Sequence, residues 1–386
     1  DEDFLDANGA RSNPFLKPDW NPELFLAQNY INHFGVYRTA LLREIGGFRE
    51  GFEGSQDYDL TLRCIERLEV EQIRHIPRVL YHWRMIPGSL AKVRDAKPYA
   101  KKAARRALAD HLRRRRIAAR VEPCPENIES HRVIYAVPEP APLVSVVTYG
   151  DAGDGPQRSY GTYSAFESLR ADEGCANFGE MMNRAAAKAS GSVLVFLKSD
   201  MEIVEAEWLH ELVGEVAREN VGAVGARIWS PEGTLQHSGL VLGLNGVAGD
   251  AHRGLPRGHP GFFNRTLLQR NCSAVSAACF GVRTSLFREL GGFNDKNLAR
   301  SFHDVDFCLR AAERGFQIVW TPYVNPIQHG PPGEEDAETA DAQYMQRRWG
   351  AKLRDDPFYS PSLTLKGTPF ELAFPPRWLS QPSLPA

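Results

Sequence analysis

Apolar residues fall along the chain in a pattern that predicts buried strands alternating with helices. Positions 143–147 and 193–197 are near-continuous apolar runs, as expected of strands buried on both faces of a parallel sheet. Between them a helix is predicted over 178–189, ended by Gly191, so strand, helix and strand alternate as in an α/β domain. Upstream, 92–120 is rich in Ala, Leu, Lys and Arg and reads as a basic helix. It leads into the proline-rich stretch 123–142, and together they predict a linker.

Part of this pattern occurs twice. The segment from Arg38 to Gly46, Gly47 and Phe48 matches that from Arg283 to Gly291, Gly292 and Phe293, with only similar residues exchanged; each reads as a short helix stopped by glycine. An Asp-x-Asp-x-x-Leu-Arg element follows each: Asp57, Asp59, Leu62 and Arg63, then Asp304, Asp306, Leu309 and Arg310. A histidine follows each first aspartate at the same distance, His82 after Asp57 and His329 after Asp304. The matched offsets predict the end of one domain over 1–91, a linker over 92–140, a second domain over 141–350 and an extension over 351–386.

Composition narrows the class. With 386 residues, 42% of them hydrophobic, the chain can fill two ordinary soluble cores. The balance of 46 Lys and Arg against 48 Asp and Glu argues against a duplex nucleic-acid binder, which carries a strongly basic domain. Six scattered cysteines form no CxxC pair, so neither a zinc site nor a disulfide framework is predicted. No apolar run approaches the ~18 residues of a membrane span, and the start Asp1-Glu2-Asp3 is unlike the basic opening of a signal peptide. The expectation is a cytoplasmic protein. The run Arg113-Arg114-Arg115-Arg116 offers either a peripheral contact with anionic lipid at the inner face of the membrane or an ordinary solvated helix face.

The 193–197 strand runs into Lys198-Ser199-Asp200-Met201-Glu202, which places acids at the carboxyl end of a parallel strand, where open α/β sheets bind ligands. Carboxylates are hard ligands suited to Mg²⁺ or Mn²⁺ on a diphosphate. Alternatively, Asp200 caps the helix containing Trp208 and Leu209. Asp304 and Asp306 also have two readings. They are first-turn acids that favour the helix dipole, with Arg310 one turn beyond Asp306, or one of them is a base for an attacking hydroxyl. His329 is a core or surface histidine, or a further ligand of the same metal, and its recurrence as His82 favours the ligand role.

With these residues assembled, the chain resembles the bacterial family 2 glycosyltransferases of GT-A fold, in particular the tandem type of surface-polysaccharide and O-antigen synthesis. The matching pieces are Asp1-Glu2-Asp3, Lys17-Pro18-Asp19-Trp20, Tyr81-His82-Trp83-Arg84, Asn177-Phe178 with Asn183, 222–227, Gln236-His237-Ser238-Gly239, Ala251-His252-Arg253-Gly254 and 304–310. The resemblance implies an α/β fold of two Rossmann-like GT-A domains, a truncated copy followed by a nearly complete one.

It also implies a metal-dependent, inverting transfer of a hexosyl or rhamnosyl unit from a UDP-, GDP- or dTDP-sugar to a glycan or lipid-linked glycan. In that scheme Asp304 and Asp57 are bases. Asp200 with His329, and Asp1 and Asp3 with His82, hold Mg²⁺ or Mn²⁺. Lys198 and Asn183 meet donor phosphates, while Asp306, Asp59, Arg310, Arg63 and His237 support the acceptor side. The alternative is a degenerate glycosyltransferase-like binding or scaffold protein.

Four departures from the family pattern bear on this. Lys198 stands where the family has Asp or Asn, and His303 where an acid is usual. Between Val147 and Asp200 the chain shows a Gly, Ser and Tyr-rich stretch, 151–164, and no second buried strand ending in an acid. The first copy begins at its metal motif, so its nucleotide half is expected to be absent from this sequence.

Overall fold

A computed structural model describes residues 1–85, 98–150, 161–172, 174–331 and 339–380. The predicted boundary at 91 and the 151–160 part of the Gly, Ser and Tyr-rich stretch lie outside the described residues. The chain forms two compact units, Asp1–Tyr135 with Pro357–Thr364 and Glu371–Ala386, and Ala136–Asp356 with Leu365–Phe370.

The larger unit is built on a seven-stranded sheet. Its order is Arg270–Asn271, Gln317–Thr321, Val221–Ala226, Cys279–Arg283, Val193–Lys198, Val144–Tyr149 and Phe166–Arg170. Val144–Tyr149 pairs in parallel with the strands on both sides of it, and Val221–Ala226 pairs in parallel with Gln317–Thr321. Cys279–Arg283 is inserted antiparallel between these two groups.

Strand side chains alternate between faces, and the core divides accordingly. Leu194 and Phe196 join Met182, Phe280, Phe293, Phe307 and Trp320 in one apolar cluster. Val193, Val195 and Leu197 join Trp208, Leu212 and Val216 in the other. The helices Phe178–Lys188 and His303–Glu313 therefore cover one face and Trp208–Val216 covers the opposite one.

The Phe166–Arg170 strand corrects an expectation from the sequence. It is the second parallel strand that the apolar pattern failed to disclose, and Asp172 lies two residues beyond its end. As the edge strand it is only partly buried, with Glu167 and Arg170 in place of a continuous apolar run, so the signature of a two-sided buried strand is missing.

In the smaller unit, Glu2–Leu5 pairs antiparallel with Arg11–Phe15 and parallel with Tyr81–Arg84. Helix Pro22–Ala27 starts at Asn21, whose side chain accepts from the Leu24 amide at 3.1 Å. Phe25 and Tyr58 pack edge to face in its core.

The segment read as a linker carries ordered structure of this unit: helix Pro98–Arg114 and the hairpin Ala119–Cys124 with Asn127–Tyr135. Helix Pro98–Arg114 bonds to the Gln56–Ile65 region, with Ser55 Oγ donating to the Ala100 carbonyl and Arg114 forked on Glu66. Arg113 pairs with Asp110 at 2.9 Å, so two of the four consecutive arginines are engaged in ion pairs. Among the described residues no helix is long and apolar enough to cross a membrane.

His131, on this hairpin, is 5% exposed and stacked on Tyr58. Burial first, then the Arg105 guanidinium, push its imidazole down to about 4. Between pH 6.5 and 4 the unfolded chain takes up a proton that the folded one refuses, so stability falls as pH falls through that window. The expected loss is roughly 3 kcal/mol. Urea unfolding at pH 7 and pH 4.5 should show a shallower pH dependence for His131→Phe; an unchanged dependence would mean that the folded state protonates His131 as readily as the unfolded one.

Candidate active site

Strand register brings the predicted chemistry of the larger unit to one edge of its sheet. Tyr149 and Lys198 are cross-strand partners at the carboxyl ends of parallel strands, and Cys279 opposite Leu197 brings residues 276–278 to the same edge. Helix His303–Glu313 starts there, with the Ala277 amide donating to Asp304 Oδ2 at 2.7 Å. The chain enters this helix through Phe302, which is buried and left-handed at φ 63°, a costly conformation for a residue with a Cβ. A cavity of about 380 Å³ opens at this edge, lined by Tyr149, Lys198, His237, Asp250 and Asp304 among others.

Tyr149 is a neutral donor here. Burial, and then the carboxylates of Asp304 and Asp200, push its phenol far above the ordinary range, and its O–H donates to the Ala277 carbonyl at 3.2 Å. His237 has a defined tautomer. Nε2 faces the backbone amides of Gly239 and Ser276, each at 3.2 Å, and an amide can only donate, so the proton sits on Nδ1 and faces Asp250 Oδ2 at 3.1 Å. Burial pushes Asp250 up, but bonds from His237 and the Ser238 amide outweigh it and hold the carboxyl below its ordinary value. The neighbouring His252 is held well below its usual range, by burial first and then by Arg270, and is neutral at pH 7.

Asp200 lies beyond the strand end and does not cap the following helix, whose N-cap is Glu207. Its Oδ2 takes Lys198 Nζ at 2.8 Å, and its Oδ1 is buried with no hydrogen-bond partner. His329 is near in backbone terms, its amide donating to the Asp200 carbonyl, but the imidazole pairs with Glu202 at 2.6 Å. The two predicted metal ligands thus point their side chains at different partners. Among the described residues no group of three His, Cys, Asp or Glu could hold a metal ion. With Lys198 already paired to Asp200 and the His329 ring turned to Glu202, the two predicted ligands do not converge on a cation that a diphosphate would share, and this donor set does not fit one.

The remaining predicted residues separate into a shared structural device and a few local pairs. Arg310 bonds Asp306 at 2.7 Å and donates to the carbonyls of Leu290 and Gly292; Arg63 bonds Asp59 at 3.0 Å and donates to those of Ile45 and Gly47. In each case the arginine satisfies carbonyls at the end of the short preceding helix, Thr284–Glu289 or Thr39–Glu44, which those helices leave without an internal partner. Asn183 supports the same turn, exchanging bonds with the Phe293 backbone, and does not line the cavity. Gly292 is required beside it: φ is +69° and a Cβ would fall 2.2 Å from Asn183 Oδ1.

In the smaller unit, Asp3 and His82 are register partners whose side chains bond, and Arg11 Nε reaches Asp3 at 2.5 Å. Asp1 turns instead to the Lys17 amide and His75. Asp57 accepts from Asn29 Nδ2 at 2.8 Å.

The cavity also contains residues that sequence reasoning did not single out: Tyr149, Asp250, Gln236, Arg253 and Arg300. Gln236 and Arg253 sit within stretches that carry the family resemblance, which was the available signal; nothing local marked Tyr149 or Arg300.

No protein-family model matches the chain. It is 37% identical to the uncharacterized protein y4gI of Sinorhizobium fredii, over 98% of this chain and 46% of that protein. It is 36% identical to the O-antigen biosynthesis protein RfbC of Myxococcus xanthus, over 95% of this chain and 31% of that protein. The chain therefore spans less than half the length of these relatives. Among solved structures, a mannosyltransferase from Pyrobaculum calidifontis in complex with GDP-Man and Mn²⁺ aligns with a TM-score of 0.37 at 14% identity, over 57% of this chain and 67% of that one.

Proposed function

We propose that the Ala136–Asp356 unit is a GT-A-type glycosyltransferase domain that moves a sugar from a nucleoside-diphosphate donor to a hydroxyl of a growing surface glycan, with inversion. The observation that carries this reading is the convergence of Asp304 and Lys198, the latter paired with Asp200, at the carboxyl ends of the parallel strands of a mixed sheet, around one cavity that also holds Tyr149 and His237. The repeated Asp-Arg-carbonyl arrangement supports reading the Asp1–Tyr135 unit as the closing part of a second domain of the same type, with Asp57 at the position of Asp304. Similarity to an O-antigen biosynthesis protein supports a polysaccharide acceptor.

In the proposed step the Asp304 carboxylate takes the proton of the acceptor hydroxyl. The acceptor oxygen bonds to the anomeric carbon, the bond from that carbon to the diphosphate oxygen breaks, and its electron pair leaves on the nucleoside diphosphate. Charge grows on the leaving oxygens, where preorganised cations and donors are most effective. The Gln236 side-chain carbonyl, buried and without a hydrogen-bond partner, offers an acceptor for a sugar hydroxyl.

The test is calorimetric titration of the chain with UDP, GDP and dTDP, each with and without Mn²⁺. Saturable binding of one of them is expected; binding of none in either buffer would remove the donor half of this reading.

A further inference from the structure

We infer that Lys198, held by Asp200, is the resident cation for the donor diphosphate and stands in place of a divalent metal ion; this rests on the transferase reading above. Lys198 occupies the end of the Val193–Lys198 strand and lines the cavity beside Tyr149 and Asp304. Its ammonium has three donors. One goes to Asp200 Oδ2 at 2.8 Å and one to the Pro331 carbonyl at 3.1 Å, which leaves a third for a phosphate oxygen.

Asp200 is occupied as the holder of that lysine. Oδ2 is taken by Lys198, and Gly330 packs so closely that a Cβ there would lie 2.1 Å from the same oxygen. Oδ1 is sealed from solvent. An ion on Oδ2 would have to displace Lys198, and a dication beside that ammonium would be repelled. His329, the other expected ligand, is directed to Glu202. Arg253 and Arg300 line the same cavity and add positive charge of the kind that receives a diphosphate.

The experiment compares binding of the nucleoside diphosphate and of its parent nucleoside in EDTA and in Mn²⁺, for the full chain and two variants. The parent chain is expected to bind the diphosphate in EDTA within about threefold of its affinity in Mn²⁺. Lys198→Met is expected to lose about tenfold or more on the diphosphate, the effect of removing one charge-assisted hydrogen bond, with nucleoside affinity unchanged as the sign of an intact fold. Lys198→Arg, which keeps the charge, is expected to retain most of the binding. Diphosphate binding that appears only with Mn²⁺, or a Lys198→Met protein that binds as tightly as the parent, overturns the inference while the transferase reading stands. Absence of binding in both buffers overturns the transferase reading, and this inference with it.

Discussion

Asp304→Asn is expected to lower the transfer rate by about 10²–10⁴-fold, the range associated with loss of a positioned general base, while nucleotide affinity stays within about threefold. The amide is isosteric with the carboxylate and its oxygen can still accept from the Ala277 amide, now 2.7 Å from Asp304, so helix His303–Glu313 keeps that anchor while the bond from the Val305 amide to Oδ1, 2.9 Å, is lost. What is lost is the capacity to take a proton. Separating rate from affinity is the decisive feature, because a merely structural Asp304 would degrade both together. Single-turnover transfer assays beside calorimetry on the same preparation provide the comparison, and an unimpaired variant would refute the assignment of Asp304 as the base.

The second large effect is on stability. Asp306 is 1% exposed and accepts from Arg310 Nε at 2.7 Å and from Trp349 Nε1 at 3.0 Å. In Asp306→Ala the buried indole N–H loses its acceptor while staying out of water, and the partly exposed guanidinium loses its carboxylate partner. Removing one partner of a buried ion pair costs about 3–5 kcal/mol, a fall in Tm of roughly 6–20 °C for a unit of this size. Asp59 is fully buried between Arg63 and Arg49, so Asp59→Ala is expected to destabilise the smaller unit to a similar degree. Scanning calorimetry reads both. A shift below about 2 °C in either would show that the pair contributes no more than an exposed one.

These variants also mark what could be read from the sequence. The Val144–Tyr149 and Val193–Lys198 strands and the helix between them were legible because strands buried on both faces and a glycine-ended helix leave strong patterns. The repeated motif was legible as a repeat, and its two aspartates divide by placement: Asp304 lines the cavity, whereas Asp306 is enclosed with Arg310 and Trp349. The ion pair of Asp306 with Arg310 followed from helical spacing; the role of Arg310 in closing the preceding turn did not, because it depends on carbonyls 20 and 18 residues back along the chain.

Edge elements were the weak point. The Phe166–Arg170 strand and the Ala119–Cys124 hairpin arm expose much of their length and carry charged residues or proline, so nothing in their composition demands burial. The pairing of His329 with Glu202 was equally hidden, since it depends on two short strands meeting antiparallel. Sequence spacing placed His329 near Asp200 but could not say which carboxylate its ring would choose.

The twin arginine latches have a kinetic consequence. Arg63 reaches back 18 and 16 residues and Arg310 reaches back 20 and 18, whereas the Asn183 bonds to Phe293 bridge 110. Closing a short loop costs little chain entropy, and contacts close in sequence form sooner than distant ones. Each latch is therefore expected to close at lower entropic cost than the long-range pairings of its own unit, so that Arg63→Ala and Arg310→Ala should slow refolding more than a substitution at Asn183.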